Sequence, residues 1–237
     1  MITTYLFDLD GTLLPMDQEV FTTAYFKLLA AKIAPRGYDP EKLVAGIWEG
    51  TAAMVQNDGS RTNEEAFWKK FAGIFGEKVL EDKPLFEDFY QNEFNDVARV
   101  CGCTPKAAEL IEQLKRQGYR LVLATNPLFP EIATRNRIAW AGLRPEDFEL
   151  ITTYENSRYC KPNPAYYKEI LEKLGCVAQE CVMVGNDVTE DMAAALLGMK
   201  VFLLTDCVIN KENRDISVYP HGGFDELLGW KLDSSLG

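Results

Sequence analysis

Short apolar segments alternate with amphipathic helical segments over the second half of the chain. Predicted strands occupy residues 119–124 (YRLVLA), about 148–151, 181–184 and 201–204. Predicted helices begin at Thr104-Pro105, near Pro130 and at Asn163-Pro164, and a further one covers residues 189–197. This alternation is typical of a mostly parallel sheet covered by helices on both faces. The predicted fold class is therefore α/β, with a doubly wound, Rossmann-like core.

One more apolar segment, residues 3–9, lies at the start of the chain. Its β-branched and apolar residues predict a buried strand, which Gly11 ends. This strand belongs with the later ones, so the intervening chain is an insertion. We predict a core formed by residues 1–16 and 100–237, into which a helical cap domain, residues 17–99, is inserted.

The insertion is rich in aromatic residues at helical spacing and poor in strand signals. One helix is predicted behind Thr62 and Glu65, which are spaced as in a capping box. Another apolar stripe runs from Phe86 to Val97. Of the polar and aromatic residues here, four are candidates to touch a substrate: Arg36, Trp48, Asn57 and Arg61.

Composition narrows the function classes. The 237 residues carry a net charge of −11, and no basic stripe suited to nucleic acid is present. No apolar run approaches the ~18 residues that span a bilayer, and the first residues do not resemble a secretory signal. The single histidine, His221, argues against a zinc site or a Ser-His-Asp triad. The six cysteines show no disulfide or metal spacing. We predict a cytoplasmic protein that acts without nucleic acid or membrane, as a monomer or small homo-oligomer.

The segment FDLDGT places Asp8 and Asp10 two residues apart at the end of the first strand. Side chains at this spacing in a strand point the same way. Two like charges about 4 Å apart repel by roughly 4 kcal/mol at an effective dielectric of 20. A cation or a protonated acid would offset this repulsion.

Other predicted strands also end in polar residues. Thr125 and Asn126 follow one, Asn186 and Asp187 follow another, and Lys161 lies in a loop just before a helix. In open α/β sheets, ligands bind beyond the carboxyl ends of the strands. Several carboxylates, a hydroxyl and a lysine suit phosphoryl transfer. One carboxylate attacks phosphorus, Mg²⁺ offsets the crowded acids, and a second carboxyl group protonates the leaving alcohol.

Four segments in order, FDLDGT, LVLATN, CKPNP and VGNDVTED, resemble the four motifs of the haloacid dehalogenase (HAD) superfamily. The resemblance covers about residues 1–16 and 100–205, and the helical insertion matches the family's cap. Taken singly, the threonine-asparagine pair is typical of a turn or cap, and the lysine of a protein surface. The ordered set outweighs those interpretations.

The resemblance implies a role for each matching residue. Asp8 resembles the nucleophile that becomes an aspartyl phosphate. Asp10 resembles the general acid and base, whose backbone carbonyl also binds Mg²⁺. Thr125 resembles the phosphate-binding hydroxyl, with Asn126 beside it. Lys161 resembles the lysine that stabilises the phosphoryl group.

The fourth segment departs from the family pattern. The family has an acid directly after the glycine, whereas this chain has Asn186 there and Asp187 next. We expect the Mg²⁺ ligands to be Asp8, Asp10 and Asp187, with Asn186 contributing directly or through another ligand. Asp191 matches the acid that orients metal-bound water or the lysine.

The predicted function is a Mg²⁺-dependent phosphatase that hydrolyses a small soluble phosphate monoester through an aspartyl phosphate. The acid at position 10 argues against a dehalogenase, because a halide leaves without a proton. A sugar phosphomutase resembling β-phosphoglucomutase uses the same residues and stays open as an alternative. A non-catalytic binding protein on this fold is the third hypothesis, favoured only by Asn186.

Overall fold

The computed structural model describes residues 1–230. It contains a six-stranded sheet with the strand order β3-β2-β1-β4-β5-β6, in which every pair of neighbours is parallel. The strands are β1 (Thr4–Phe7), β2 (Arg120–Leu123), β3 (Leu150–Ile151), β4 (Cys181–Gly185), β5 (Lys200–Leu204) and β6 (His221–Gly222). The predicted α/β fold with a doubly wound, Rossmann-like core is confirmed.

Both faces of the sheet are buried around its central strands, which explains why these strands are largely apolar. One face packs through Tyr5, Phe7, Leu121, Leu123, Val182 and Val184. The opposite face packs through Leu6, Val122, Cys181, Met183, Val201 and Leu203. Burial of each large apolar side chain contributes about 1.5–3 kcal/mol. The first strand is central because it pairs with β2 on one side and β4 on the other.

Four helices accompany these strands: α5 (Pro105–Arg116), α6 (Glu131–Trp140), α7 (Pro164–Leu174) and α8 (Phe224–Gly229). Thr104 and Asn163 cap the N-termini of α5 and α7, each directly before a proline in the first turn. Gly175 ends α7 in the left-handed conformation. These boundaries agree with the predicted ones to within a residue or two.

Residues 17–99, called the helical segment below, form α1 (Gln18–Ile33), α2 (Pro40–Val55), α3 (Asn63–Phe75) and α4 (Lys83–Gln91). The predicted capping box of α3 is present: the Thr62 N–H donates to Glu65 Oε2 at 2.8 Å, and the Glu65 N–H donates to Thr62 Oγ1 at 3.2 Å. The segment leaves and rejoins the rest of the chain at one place, where Met16 pairs antiparallel with Cys101. The division into two domains stays a prediction, and residues 231–237 of the predicted core lie outside the described residues.

Two helix predictions were only partly right. The apolar stripe after Phe86 is not one helix, because Asn92 leaves the helical conformation and donates its side-chain N–H to the Asp88 carbonyl. A 3₁₀ helix, Glu93–Val100, follows. The helix predicted over residues 189–197 is a shorter 3₁₀ helix, Met192–Leu197. Before it, the N–H groups of Thr189 and Glu190 are bound by the Asp187 side chain instead of by helical carbonyls.

No helix within residues 1–230 has the length and apolar character needed to cross a bilayer. All six cysteines are free thiols. The cytoplasmic location stays a prediction.

Candidate active site

The site lies at the carboxyl ends of three adjacent strands. The Asp8 N–H donates to the Val184 carbonyl at 2.9 Å, and the Ala124 N–H donates to the Phe7 carbonyl at 2.7 Å. These ladder bonds carry the ends of β1, β2 and β4 to the same edge of the sheet. The predicted residues that follow them line one cavity of about 280 Å³: Asp8, Asp10, Thr125, Asn126, Asn186, Asp187 and Asp191.

Lys161 is the buried cation of the site. Its ammonium Nζ lies 2.8 Å from Asp8 Oδ1 and 2.6 Å from Asp191 Oδ1. Burial lowers the pKa of Lys161, but the two carboxylates raise it more, so that its pKa lies well above the usual value. Lys161 is therefore charged, and it neutralises part of the crowded negative charge.

The Thr12 hydroxyl links the first and fourth motifs. Its oxygen lies 3.3 Å from Asp8 Oδ2 and 3.0 Å from Asn186 Oδ1. The Asn186 amide is held in this orientation because its Nδ2 donates to the Cys207 carbonyl at 2.6 Å. Gly11 has φ +86°, and a Cβ there would lie 2.3 Å from Asn186 Nδ2. The glycine thus lets the two motifs approach closely.

The oxygens of Asp8 and Asn186 fit a hard divalent cation. A hydroxyl has one hydrogen, so Thr12 can donate to only one of the two oxygens beside it. The other is free to bind a cation, and Mg²⁺ prefers such carboxylate and amide oxygens. Within residues 1–230, no three His, Cys, Asp or Glu side chains form a group able to hold a metal. An amide oxygen here stands where the family has a carboxylate.

Asp187 is engaged differently from Asn186. Its Oδ1 accepts the backbone N–H groups of Thr189 at 2.7 Å and Glu190 at 2.8 Å. Its own N–H donates to Asp191 Oδ2 at 2.9 Å. Asp187 therefore shapes the loop after β4, while Asn186 is the one that shares a partner with Asp8. The role of Asp187 as a metal ligand stays a prediction.

Two further acids surround the lysine. Burial raises the pKa of Asp191, and Lys161 opposes this rise. Burial also raises the pKa of Glu190 to about 7, and Asn126 Nδ2 donates to its Oε2 at 3.0 Å. Glu190 lines the cavity but was not singled out from the sequence. The sequence feature that could have identified it is its position in the fourth motif, directly before Asp191.

The loop after β2 is fixed through its backbone. The buried Thr125 accepts two hydroxyl hydrogen bonds at its carbonyl, from Thr152 at 2.7 Å and Tyr166 at 2.8 Å. Asn126 Oδ1 accepts the Lys161 N–H at 3.3 Å. The second and third motifs are thereby brought together, which leaves the Thr125 side chain on the cavity wall.

Arg137 is a residue that sequence reasoning missed. It lies on α6, is 0% exposed, and forms an ion pair and hydrogen bond with Asp10 Oδ2. Its Nε donates to the Ala133 carbonyl at 3.3 Å, and its guanidinium lies over the Phe129 ring at 4.4 Å. The sequence feature that could have identified it is that Arg137 shares a helical face with the apolar residues Ala133 and Ile138. A cation on a buried face requires a charged partner.

The Asp10 carboxyl group has one held and one free oxygen. Arg137 binds Oδ2, whereas Oδ1 is buried without a hydrogen-bond partner. Burial raises the pKa of Asp10, and Arg137 opposes the rise. A carboxyl group of this kind, on the wall of the cavity that also contains Asp8, is suited to hold a proton for a leaving group.

Six of the aromatic residues in the helical segment line the cavity and are called the aromatic wall below: Phe21, Tyr25, Phe26, Trp48, Phe67 and Trp68. Phe129 and Tyr154 face it from the core. Of the four residues considered earlier as substrate contacts, Trp48 lines the cavity. The other three are not among the described lining residues: Arg36 pairs with Asp82 at 3.6 Å, and Asn57 donates to the Arg61 carbonyl at 3.0 Å.

Comparison with known proteins agrees with this arrangement. Residues 2–197 match the family of haloacid dehalogenase-like hydrolases. The chain is 24% identical over 199 residues to the pyrophosphatase PpaX of Bacillus velezensis, covering 84% of this chain and 81% of that protein. It is also 24% identical to a phosphoglycolate phosphatase of Agrobacterium fabrum, covering 80% and 74%.

A solved HAD phosphatase from Thermococcus onnurineus shares the fold, with a TM-score of 0.59 and 20% identity over 96% of this chain and 97% of that one. The family match covers most of the chain and includes all four motifs. This chain is an enzyme that belongs to the haloacid dehalogenase-like hydrolases.

Proposed function

We propose that this hydrolase is a phosphatase that cleaves a small phosphate monoester through an aspartyl phosphate on Asp8. One observation supports the proposal above all. Asp8, with Lys161 on one oxygen, and Asp10, with a partnerless oxygen, line the same cavity. A nucleophile and a proton donor are thus within reach of one bound ester.

The reaction would proceed in two displacements. A carboxylate oxygen of Asp8 attacks phosphorus, the bond from phosphorus to the ester oxygen breaks, and the Asp10 carboxyl group protonates the departing alcohol. Water then attacks the phosphorus of the aspartyl phosphate and gives its proton to the Asp10 carboxylate. The bond from phosphorus to Asp8 breaks and inorganic phosphate leaves. Lys161 and Thr125 hold the nonbridging oxygens.

Asp8 and Asn186 would hold Mg²⁺, together with the backbone carbonyl of Asp10. When bound, the ion supplies positive charge that offsets the phosphate and carboxylate charges. Asp187 keeps the loop after β4 in place through its bonds to Thr189 and Glu190, and we retain it as a further candidate ligand.

The helical segment would act as a cap over the cavity. Its aromatic wall excludes water from the phosphoryl group, which strengthens the electrostatic interactions inside. The relatives are named for phosphoglycolate and pyrophosphate, so we propose a small phosphorylated metabolite as the substrate class. A protein substrate would not fit beneath this cover.

Hydrolysis of p-nitrophenyl phosphate tests the activity. The purified chain should release inorganic phosphate with Mg²⁺ and lose this activity with a chelator.

Asp8→Asn should lower kcat by about 10³-fold or more, because it removes the nucleophile. Lys161→Ala should also abolish turnover, and unfolding curves would show whether the variant is folded. Undiminished turnover in folded Asp8→Asn would overturn the mechanism, and isomerisation of a sugar 1-phosphate without phosphate release would favour a mutase.

The acid role of Asp10 has its own test. Asp10→Asn should slow hydrolysis of ethyl phosphate by about 10²–10⁴-fold, because ethanol needs a proton to leave. Its effect on p-nitrophenyl phosphate should be smaller, because p-nitrophenolate leaves readily as an anion. Equal losses for the two esters would contradict the role.

A further inference from the structure

We propose that the natural leaving group is an uncharged alcohol that contains a flat apolar ring, which the aromatic wall binds. This inference rests on the proposed phosphatase activity and specifies its substrate class. It departs from what the relatives' names suggest, because glycolate and phosphate are small anions without a ring. The supporting observations are the chemistry of the wall, its charges and the cavity volume.

The aromatic wall offers mainly ring faces and few free polar atoms. The hydroxyl groups of Tyr25 and of Tyr90, which also lines the cavity, hydrogen-bond to each other at 2.8 Å, and the buried Trp68 Nε1 is left without a partner. Trp48 packs beside Phe26, with ring centroids 5.4 Å apart, and it lines the cavity although 52% of the residue is exposed. An exposed tryptophan on a cavity wall is typical of a ligand contact, because a flat ligand covers the area it leaves open.

Charges on the helical segment disfavour an anionic leaving group. The cavity lining there includes one basic residue, Lys83, and two acids, Glu64 and Glu87. Lys83 Nζ is already paired with Glu64 at 3.4 Å and lies 4.9 Å above the Trp68 ring. On this side a second carboxylate or phosphate would therefore meet excess acid, and the other basic residue of the described lining, Lys211, belongs to the core and not to the helical segment.

The cavity volume suits a phosphate and one ring. At about 280 Å³ it lies at the lower end of the volumes of ligand pockets, which are about 300–1,000 Å³. Phosphoglycolate would leave much of the aromatic wall in contact with trapped water. The helical side of the lining offers a polyhydroxylated sugar the side chains of Gln18, Thr22 and Thr51, and each hydroxyl group left against a ring face instead would cost about 1–3 kcal/mol.

The test compares esters whose alcohols have similar acidity. Benzyl phosphate and ethyl phosphate both release a primary alcohol, so their difference reports on the ring. With the full chain and Mg²⁺, kcat/KM for benzyl phosphate should exceed that for ethyl phosphate by at least about tenfold. It should also exceed the values for 2-phosphoglycolate, pyrophosphate and glucose 6-phosphate.

A variant pair then locates the preference. Trp48→Ala should reduce the ratio of benzyl to ethyl kcat/KM by about fivefold or more, because it removes a ring face. Leu80→Ala, at an exposed apolar residue outside the cavity lining, is the matched control and should keep the wild-type ratio. A ratio unchanged by Trp48→Ala would overturn the assignment of the wall.

The two levels of the proposal fail in different ways. If glycolate, sugar or ethyl esters are cleaved as well as benzyl phosphate, the substrate inference fails while the phosphatase proposal survives. If no ester is cleaved, including p-nitrophenyl phosphate, the proposed function itself fails.

Discussion

Arg137 places a permanent positive charge inside the core, directly on the residue proposed to carry the catalytic proton. The guanidinium is held by the Ala133 carbonyl, the Phe129 ring and Asp10. With three restraints it fixes one oxygen of Asp10, while the other has no hydrogen-bond partner. An isolated aspartate at the end of a strand would sample several rotamers, so Arg137 acts as a positioning residue.

Arg137→Met should lower the free energy of unfolding by about 3–5 kcal/mol, because Oδ2 of Asp10 would lose its partner and Oδ1 already has none. Urea unfolding measures the change. Arg99→Met is the control: its ion pair with Asp96 is exposed, and its loss should cost at most about 1 kcal/mol. Comparable small losses in both variants would contradict a structural role for the buried pair.

Glu190 should make stability depend on pH. Its pKa is about 7 in the folded protein, against about 4.3 in an unfolded chain. Between these values the folded state holds more protons, so stability falls as pH rises from about 4.3 to 7. Glu190→Gln removes this loss and should gain on the order of 2 kcal/mol over the wild type between pH 5 and pH 8.

Chemical unfolding at both pH values, with chelator present, measures this gain. Glu109→Gln makes the same substitution at an exposed site on α5 and should show no comparable change. A difference between Glu190→Gln and the wild type that is the same at pH 5 and pH 8 would show that the proton on Glu190 does not contribute.

At the scale of elements, the loop after β1 links two motifs that are far apart in the sequence. Thr12 hydrogen-bonds to Asn186, which lies 174 positions later in the sequence. The preceding residue, Gly11, lies so close to Asn186 that there is no room for a side chain. The same chain segment therefore sets the distance from the nucleophile to the proposed cation site.

Gly11→Ala should destabilise the fold by more than about 1–2 kcal/mol, since it adds a clash to the left-handed backbone cost. Gly37→Ala separates the two effects, because Gly37 has φ +88° but no atom near its Cβ position. Gly11→Ala should also weaken Mg²⁺ activation of p-nitrophenyl phosphate hydrolysis, whereas Gly37→Ala should not. Equal unfolding losses would mean that Asn186 moves aside freely.

At the scale of the whole molecule, the start of α3 fastens the helical segment to the core. The N–H groups of Asn63 and Glu64 donate to the carbonyls of Ser157 and Tyr154, both at 2.8 Å. The Asn63 side chain is fully buried and donates to the Pro127 carbonyl at 3.3 Å. The first-turn N–H groups of a helix have no partners within the helix. These contacts supply partners for two such groups of α3 and hold the helical segment over the cavity.

Asn63→Ala should loosen this docking and shift the molecule toward an open form. We expect KM for p-nitrophenyl phosphate to rise severalfold and limited proteolysis to cut the helical segment faster. Gln56→Ala, at an exposed position of the same segment, should change neither. An unchanged KM together with unchanged cleavage would show that the backbone bonds suffice.

The sequence did not predict the short β6 or the order of the strands in the sheet. By itself it determined the other five strands, the polar residues at the ends of three of them, and the four motif segments. These features are local: apolar periodicity fixes a strand or helix, and prolines and glycines fix its ends. Even the capping box of α3 followed from the identity of Thr62 and Glu65. The 3₁₀ segments were less accessible, because side chains such as Asn92 and Asp187 compete there with helical bonds.

Tertiary structure alone decided which polar atoms became partners. Arg137 and Asp10 are 127 positions apart, and Asn186 rather than Asp187 came to share the Thr12 hydroxyl with Asp8. Among the aromatic residues of the helical segment, the sequence pointed only to Trp48 as a substrate contact, whereas the fold set several of them against the cavity. The reason is physical: periodicity tells which face of an element is buried, but only the packing of elements tells what that face meets.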